Sequence, residues 1–224
     1  MGIVAIVPAK ASSTRVPNKN YRPFWDDLSL VDLLLAKLTR VLPGDRVFLS
    51  CEDESKASFA TRWDAQFVLR HPALCDNSVP YCDVIRGVCN SVPGHQDVLW
   101  CQAIDPFFDQ HAAVLERWYT IRHEDCDSLT VVYPNVGYVL DQNHHPIGFG
   151  FGPWHVPSQK LPIHYRLNFT CAVLTRHTIA QVGYLVGSRP AWYEAPNVFL
   201  DIDTEEDFEL AQLIYGHTTG KRQR

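Results

Sequence analysis

Long apolar runs are missing from this sequence: stretches such as Leu33–Ala36 stop far short of the roughly 20 residues needed to cross a bilayer, so no membrane span is expected. A surplus of positive charge is missing too. Twenty Lys plus Arg against 25 Asp plus Glu leave a net charge of −5, which argues against broad nucleic-acid contact through phosphate neutralisation. No Cys-x-x-Cys pair occurs, and the seven cysteines are odd in number and scattered. That speaks against a disulfide framework or a zinc knuckle and for buried free thiols. Met1 leads into Gly2–Val7 without a basic leader region, and a cytoplasmic location is expected. No internal repeat is found.

What is present suffices for a packed core. Hydrophobic residues make up 46%, aromatics 12% and charged residues 20% of 224 positions. At about 150 residues per domain the length suits a single domain, 1–224, carrying an insertion. Gly2–Val7 reads as a buried strand ending at Pro8. From Ser29 to Leu42 apolar positions recur at three and four, with Ser29 and Asp32 in a capping-box pattern and Pro43-Gly44 as the stop.

Strands are predicted at 46–51, 66–69, 97–102, 128–133, 170–175 and 198–201. Helices are predicted at 54–63, 79–91, 110–122, after Arg176, and from Glu205 to about Tyr215, with a fraying tail beyond. Alternating strands and helices point to a Rossmann-like α/β fold with an open, mostly parallel sheet. The pattern breaks from Pro134 to Leu167, a stretch rich in Pro, Gly, His and aromatics that reads as an inserted hairpin or lid.

In such sheets ligands gather beyond the carboxyl ends of the strands. Two segments fall on that edge. Pro8–Asn20 places three cations (Lys10, Arg15, Lys19) and three hydroxyls (Ser12, Ser13, Thr14) directly after the first strand. Such a loop can wrap a triphosphate, or be a solvated surface loop; it lacks the glycines of a P-loop. Leu200-Asp201-Ile202-Asp203-Thr204 presents two carboxylates at spacing two, suited to a hard divalent cation such as magnesium or, alternatively, to capping the last helix.

Together the two segments resemble the CMP-sugar-acid synthetases, and the resemblance runs over nearly the whole chain. Pro8, Ala9, Ser13, Pro17, Lys19 and Asn20 match the family's Pro-Ala-Arg-x-x-Ser-x-x-x-Pro-x-Lys-Asn loop, with Lys10 where Arg is usual. The loop looks partly like 3-deoxy-manno-octulosonate cytidylyltransferases and partly like acylneuraminate cytidylyltransferases. Val68–Leu74 resembles the stretch entering the cytosine pocket, and Gln102 with Pro106 resembles the family's Gln-Pro-Thr-Ser-Pro segment. Tyr165-Arg166-Leu167-Asn168 resembles its aromatic-Arg-Pro-Asn motif, and Asp201–Asp207 matches its Asp-Ile-Asp-Thr-x-x-Asp.

The resemblance implies a nucleotide-diphospho-sugar transferase type of fold, a homodimer formed through the 134–167 insert, and transfer of CMP from CTP to an acidic acceptor with release of pyrophosphate. It implies Lys10, Arg15, Lys19 and Asp203 as catalytic residues and Ala9, Ser13, Asn20 and Arg70 around the nucleotide. Gln102, Asp105, Arg166 and Asn168 fall on the acceptor, and Asp201 with Asp203 on Mg2+. Departures concentrate on the acceptor side. Ala103–Asp109 replaces a polar, basic stretch with an acidic, aromatic one, and Phe169-Thr170 replaces Gly-Ala. The acceptor is therefore left open among nonulosonic and other keto-sugar acids and phosphonates. Asp105 is left as a second metal contact, a base or a selector, and a non-catalytic nucleotide binder is the reading outside enzymes. His144, His145 and His155 read as lid residues, and Cys101 as a buried strand thiol.

Overall fold

A computed structural model describes residues 2–13, 15–196 and 200–222. In chain order the strands are β1 (Ile3–Pro8), β2 (Pro23–Trp25), β3 (Leu28–Ser29), β4 (Val47–Cys51), β5 (Gln66–Leu69), β6 (Asp97–Cys101), β7 (Ser128–Asn135), β8 (Val139–Leu140), β9 (Pro146–Ile147), β10 (His164–Arg166), β11 (Cys171–Leu174) and β12 (Pro190–Glu194). The helices are α1 (Leu30–Leu38), α2 (Ala57–Arg62), α3 (Tyr81–Ser91), α4 (His111–Ile121), α5 (Arg176–Val182) and α6 (Glu205–Arg222).

β5, β4, β1 and β6 lie side by side in parallel; β11 then runs antiparallel between β6 and β7, and β12 returns parallel along β7. β10 pairs antiparallel with the far end of β7. The parallel centre explains the unbroken apolar run of β1, whose two faces are both covered. Ile3, Ala5 and Val7 join the core beneath α1, α4 and α6, while Val4 and Ile6 join the one beneath α3 and α5.

The capping box at α1 forms as its sequence predicts: the Asp32 amide donates to Ser29 Oγ at 3.1 Å and the Ser29 amide to Asp32 Oδ2 at 2.9 Å. Asp32 is fully buried, and its other oxygen accepts from Trp63 Nε1 at 2.8 Å, tying α1 to the end of α2. No helix of the described residues is long and apolar enough to cross a membrane.

Two expectations change. The last helix does not stop at Tyr215 but runs to Arg222. Tyr215 packs on Phe24 and Phe107, and a Cβ at Gly216 would come within 2.4 Å of the Trp25 ring, so glycine there allows the close approach that prolongs the helix. The strand expected at 198–201 has Val198 and Phe199 outside the described residues, and Leu200 and Asp201 belong to no strand. The place beside β7 is taken instead by β12, which the sequence pattern hid because its residues are half-exposed. The insert holds the β8–β9 hairpin, two short 3-10 turns and β10, and displays Trp154 (76% exposed) and Phe151 (61%).

Candidate active site

The loop after β1 is held down at both its ends. The Ala9 amide donates to Ser50 O at 3.0 Å, Tyr21 Oη to Ala9 O at 2.6 Å, and Asn20 Nδ2 to Lys10 O at 3.1 Å. The amides of Ala11 and Ser12 both donate to Glu52 Oε1, at 2.9 and 3.0 Å. Val16 is fully buried and Asn18 takes a left-handed turn with φ 54°. These contacts exclude the reading as a loosely solvated surface loop, because its backbone groups are satisfied from neighbouring strand ends.

The loop forms one wall of a cavity of about 400 Å³ at the carboxyl ends of β1, β5 and β6. Lys10, Ser13, Arg15, Lys19, Asn20, Arg70 and Gln102 all line it. Three stretches far apart in sequence, the Lys10–Asn20 loop, Arg70 and Gln102, therefore meet in one place. Four of these seven residues are cationic, so the cavity suits a polyanion. Lys10 Nζ donates to Asn77 Oδ1 at 2.8 Å, reaching the opposite wall. Arg70, 4% exposed, is held by Ser50, with Nη2 to its carbonyl at 2.7 Å and Nε to Oγ at 3.3 Å. Gln102 Nε2 donates to Tyr81 Oη at 3.0 Å, and burial first of all pushes the Tyr81 phenol up to about 12. Neither Tyr81 nor Asn77 was marked by the sequence. The available signal for Tyr81 is its position at the first turn of a helix after Pro80, on the ligand edge of the sheet.

The second segment meets the first. Arg15 Nη2 lies 2.9 Å from Asp203 Oδ1, Lys19 Nζ lies 3.9 Å from the same oxygen, and Lys19 also donates to the Ile202 carbonyl. Ile202 is fully buried, whereas Asp201 and Asp203 are partly exposed and belong to no strand; neither lines the cavity, which the segment meets through Arg15 and Lys19. Burial lowers the Lys19 amine below its usual range, opposed by Asp203 and Asp201. Burial, then repulsion from Asp203, raises Asp201 to about 6. A cation between the two would relieve that repulsion. No group of three or more His, Cys, Asp or Glu able to hold a metal occurs among the described residues. Two carboxylates nevertheless fit magnesium, which commonly takes one or two of them and fills its shell with phosphate oxygens and water. Asp207 does cap α6, accepting from the Thr204 amide at 2.8 Å, so capping and carboxylate presentation coexist in this segment.

The remaining acceptor-side candidates lie elsewhere. Asp105, 7% exposed, accepts from the Phe107 amide at 2.9 Å and from Tyr133 Oη at 2.8 Å. Tyr133 Oη also lies 3.1 Å from Thr170 Oγ1, and Thr170 Oγ1 donates to Asn168 Oδ1 at 2.6 Å. Asp105 and Asn168 thus end a buried polar chain and do not line the cavity. Arg166 is exposed in β10, opposite Tyr133. Ala9, 1% exposed, contributes backbone only. Cys101 is fully buried and lies 3.8 Å from Cys171 Sγ, with burial pushing its thiol well up, which suits an inert strand residue. His155 stacks on Tyr138 with ring centroids 5.4 Å apart.

Residues 4–150 match the family model described as cytidylyltransferase. The chain belongs to the cytidylyltransferase family. It is accordingly a CTP-dependent nucleotidyltransferase by family. No curated protein matches its sequence.

Among solved structures, a CMP:2-keto-3-deoxy-manno-octonic acid synthetase complexed with CTP is similar at TM-score 0.71 and 12% identity, over 97% of this chain and 100% of that one. A 4-diphosphocytidyl-2C-methyl-D-erythritol synthase from Anaerococcus prevotii is similar at TM-score 0.62 and 12% identity, over 95% of each chain. These likenesses show the fold: a mixed sheet with a parallel core, of the Rossmann-like nucleotidyltransferase type.

Proposed function

We propose that this cytidylyltransferase transfers CMP from CTP to a small acidic acceptor, a nonulosonic or related keto-sugar acid, with release of pyrophosphate. The observation that carries the reading is the convergence of the cationic loop with the Asp201–Asp203 segment, read from the 2.9 Å contact between Arg15 and Asp203. The similar synthetase complexed with CTP supports the choice of nucleotide.

In this mechanism Lys10, Arg15 and Lys19 hold the triphosphate and offset charge that builds on the departing pyrophosphate. Ser13 and Asn20 position the nucleotide, and Arg70 frames the base end of the cavity. An acceptor oxygen, oriented by Gln102, forms a bond to the α-phosphorus in line as the bond from that phosphorus to the bridging oxygen breaks, and the acceptor's proton passes to solvent. Asp203 and Asp201 would hold Mg2+, which supplies charge neutralisation on the phosphate oxygens. Proximity and electrostatics do the chemistry, and no side chain is assigned as general base. Because Asp105 and Asn168 are committed to an internal chain, acceptor contacts fall to Gln102 and its neighbour Tyr81. A small acid such as a phosphonate fits the same wall.

A homodimer is part of the proposal, since the insert's exposed aromatics need a cover and a second copy supplies one. So is a reducing, cytoplasmic setting, in keeping with seven free cysteines. The test is pyrophosphate release from each of the four ribonucleoside triphosphates with sugar acids and phosphonates as acceptors. Magnesium-dependent turnover selective for CTP is expected; preference for GTP, or CTP binding with no acceptor ever consumed, would overturn the reading.

A further inference from the structure

Glu52 stands just past the end of β4, outside the cavity, yet it gathers several donors from the loop that forms one cavity wall. Its Oε1 accepts from the Ala11 amide at 2.9 Å, the Ser12 amide at 3.0 Å and Ser12 Oγ at 3.0 Å. Cys51 Sγ, at the end of β4, lies 3.6 Å from Oε2, and the Cys51 carbonyl accepts from the Arg70 amide at 2.8 Å, so the strand end that carries Glu52 is joined to the wall that carries Arg70. Two successive backbone amides plus a hydroxyl aimed at one oxygen is the geometry by which loops bind phosphate. Here the anion is the chain's own.

We infer that Glu52 is a positioning residue for nucleotide binding: it ties the loop after β1 to the end of β4, which Arg70 also grips, and so turns Lys10, Ser13 and Arg15 toward the polyphosphate. Ala11 and Ser12 face Glu52 and do not line the cavity, whereas their neighbours Lys10 and Ser13 do. The carboxylate therefore sits behind the loop, not in the nucleotide's place. Charge-assisted bonds from backbone amides are stronger than neutral ones, so one side chain can fix several residues.

This inference rests on the proposed CTP-binding role, and the experiment separates the two. CTP binding to the full-length chain with magnesium is measured by calorimetry for the unaltered protein, Glu52→Gln and Glu52→Ala, alongside steady-state kinetics. Glu52→Ala is expected to raise the Kd and KM for CTP by roughly ten- to a hundred-fold, the range for losing hydrogen bonds to a charged group. The acceptor's KM stays unchanged, and hydrogen exchange at the Ala11 and Ser12 amides speeds up. Glu52→Gln, which keeps an accepting oxygen at the same reach, is expected to recover most of the affinity; it carries the test if the alanine variant fails to fold. Equal or tighter CTP binding by both variants would overturn the inference, because Glu52 would then be irrelevant or a competitor of the phosphate. No CTP binding by the unaltered chain would overturn it together with the proposed function.

Discussion

Two long irregular segments, Pro8–Asn20 and the stretch from Val136 to Ile163, are both poor in regular structure, and they end in opposite states. The first is held from Ser50, Glu52, Tyr21 and Asn20, buries Ala9 and Val16, and turns its cations into a cavity. The second leaves Val136, Phe151, Trp154 and Ile163 open to solvent. What separates them is position. A loop at the crossing of several parallel strand ends finds backbone partners on every side, whereas a loop projecting from an edge strand finds only itself.

The largest expected effect bears on the first segment. Asp203→Ala should lower kcat by at least about 10²–10³-fold, the scale of losing a charge-stabilising group. It should leave the melting temperature nearly unchanged, since the Arg15–Asp203 pair is exposed and such pairs contribute little to stability. An undiminished rate would break the assignment. Val16→Ala, at a fully buried anchor of the loop, should cost about 1–3 kcal/mol in chemical denaturation and weaken CTP binding in step.

A third change probes the pH response of the core that supports the loop. His111 is 2% exposed with neither ring nitrogen partnered, and burial, aided by Lys37, lowers its pKa from 6.5 to about 3. The unfolded chain then binds more protons than the native one between those values. Stability should therefore fall as pH drops from 6.5 toward 3, by up to about 1.4 kcal/mol per pH unit. His111→Phe should flatten that slope, measured as denaturation midpoints across the window; an unchanged slope would assign the acid sensitivity to other groups.

The smallest effect on folding is expected in the second segment. Phe151→Ser with Trp154→Ser should shift protomer stability by no more than about 0.5 kcal/mol per site, as for other exposed positions. The same double variant should halve the particle mass seen by light scattering. If the unaltered chain is already monomeric, the comparison loses its explanation for the exposed aromatics.

Several features were legible in advance because they are local. The Ser29–Asp32 capping box, the apolar strand before Pro8 and the cationic loop after it each depend on residues within a few positions of one another. Lys10, Ser13, Arg15, Lys19, Asn20, Arg70 and Gln102 were named from motifs and do share one cavity. Ala9, Asp105, Arg166, Asn168, Asp201 and Asp203 lie outside its lining: Asp203 reaches it only through Arg15 and Lys19, and the Tyr133 and Thr170 hydroxyls offer Asp105 and Asn168 an internal partner that no linear pattern announces. β12 escapes the pattern since its alternation is blurred by half-exposure, and the length of α6 escapes it since the residues beyond Tyr215 read as a fraying tail until Trp25 is seen against Gly216.

The sequence by itself determined the alternation of the core strands β1, β4, β5 and β6 with their helices, the chemistry available at the two ends of the chain, and membership of the cytidylyltransferase family. Tertiary structure alone decided which polar residues face the cavity and which are spent on the interior, that β12 and not the Asp201 segment completes the sheet, and that Glu52 holds the loop after β1 to the end of β4. The physical reason is range. Caps and periodicities are settled within one or two turns of chain, whereas the partner of a buried carboxylate or the neighbour of a strand is chosen by contacts between residues far apart in sequence.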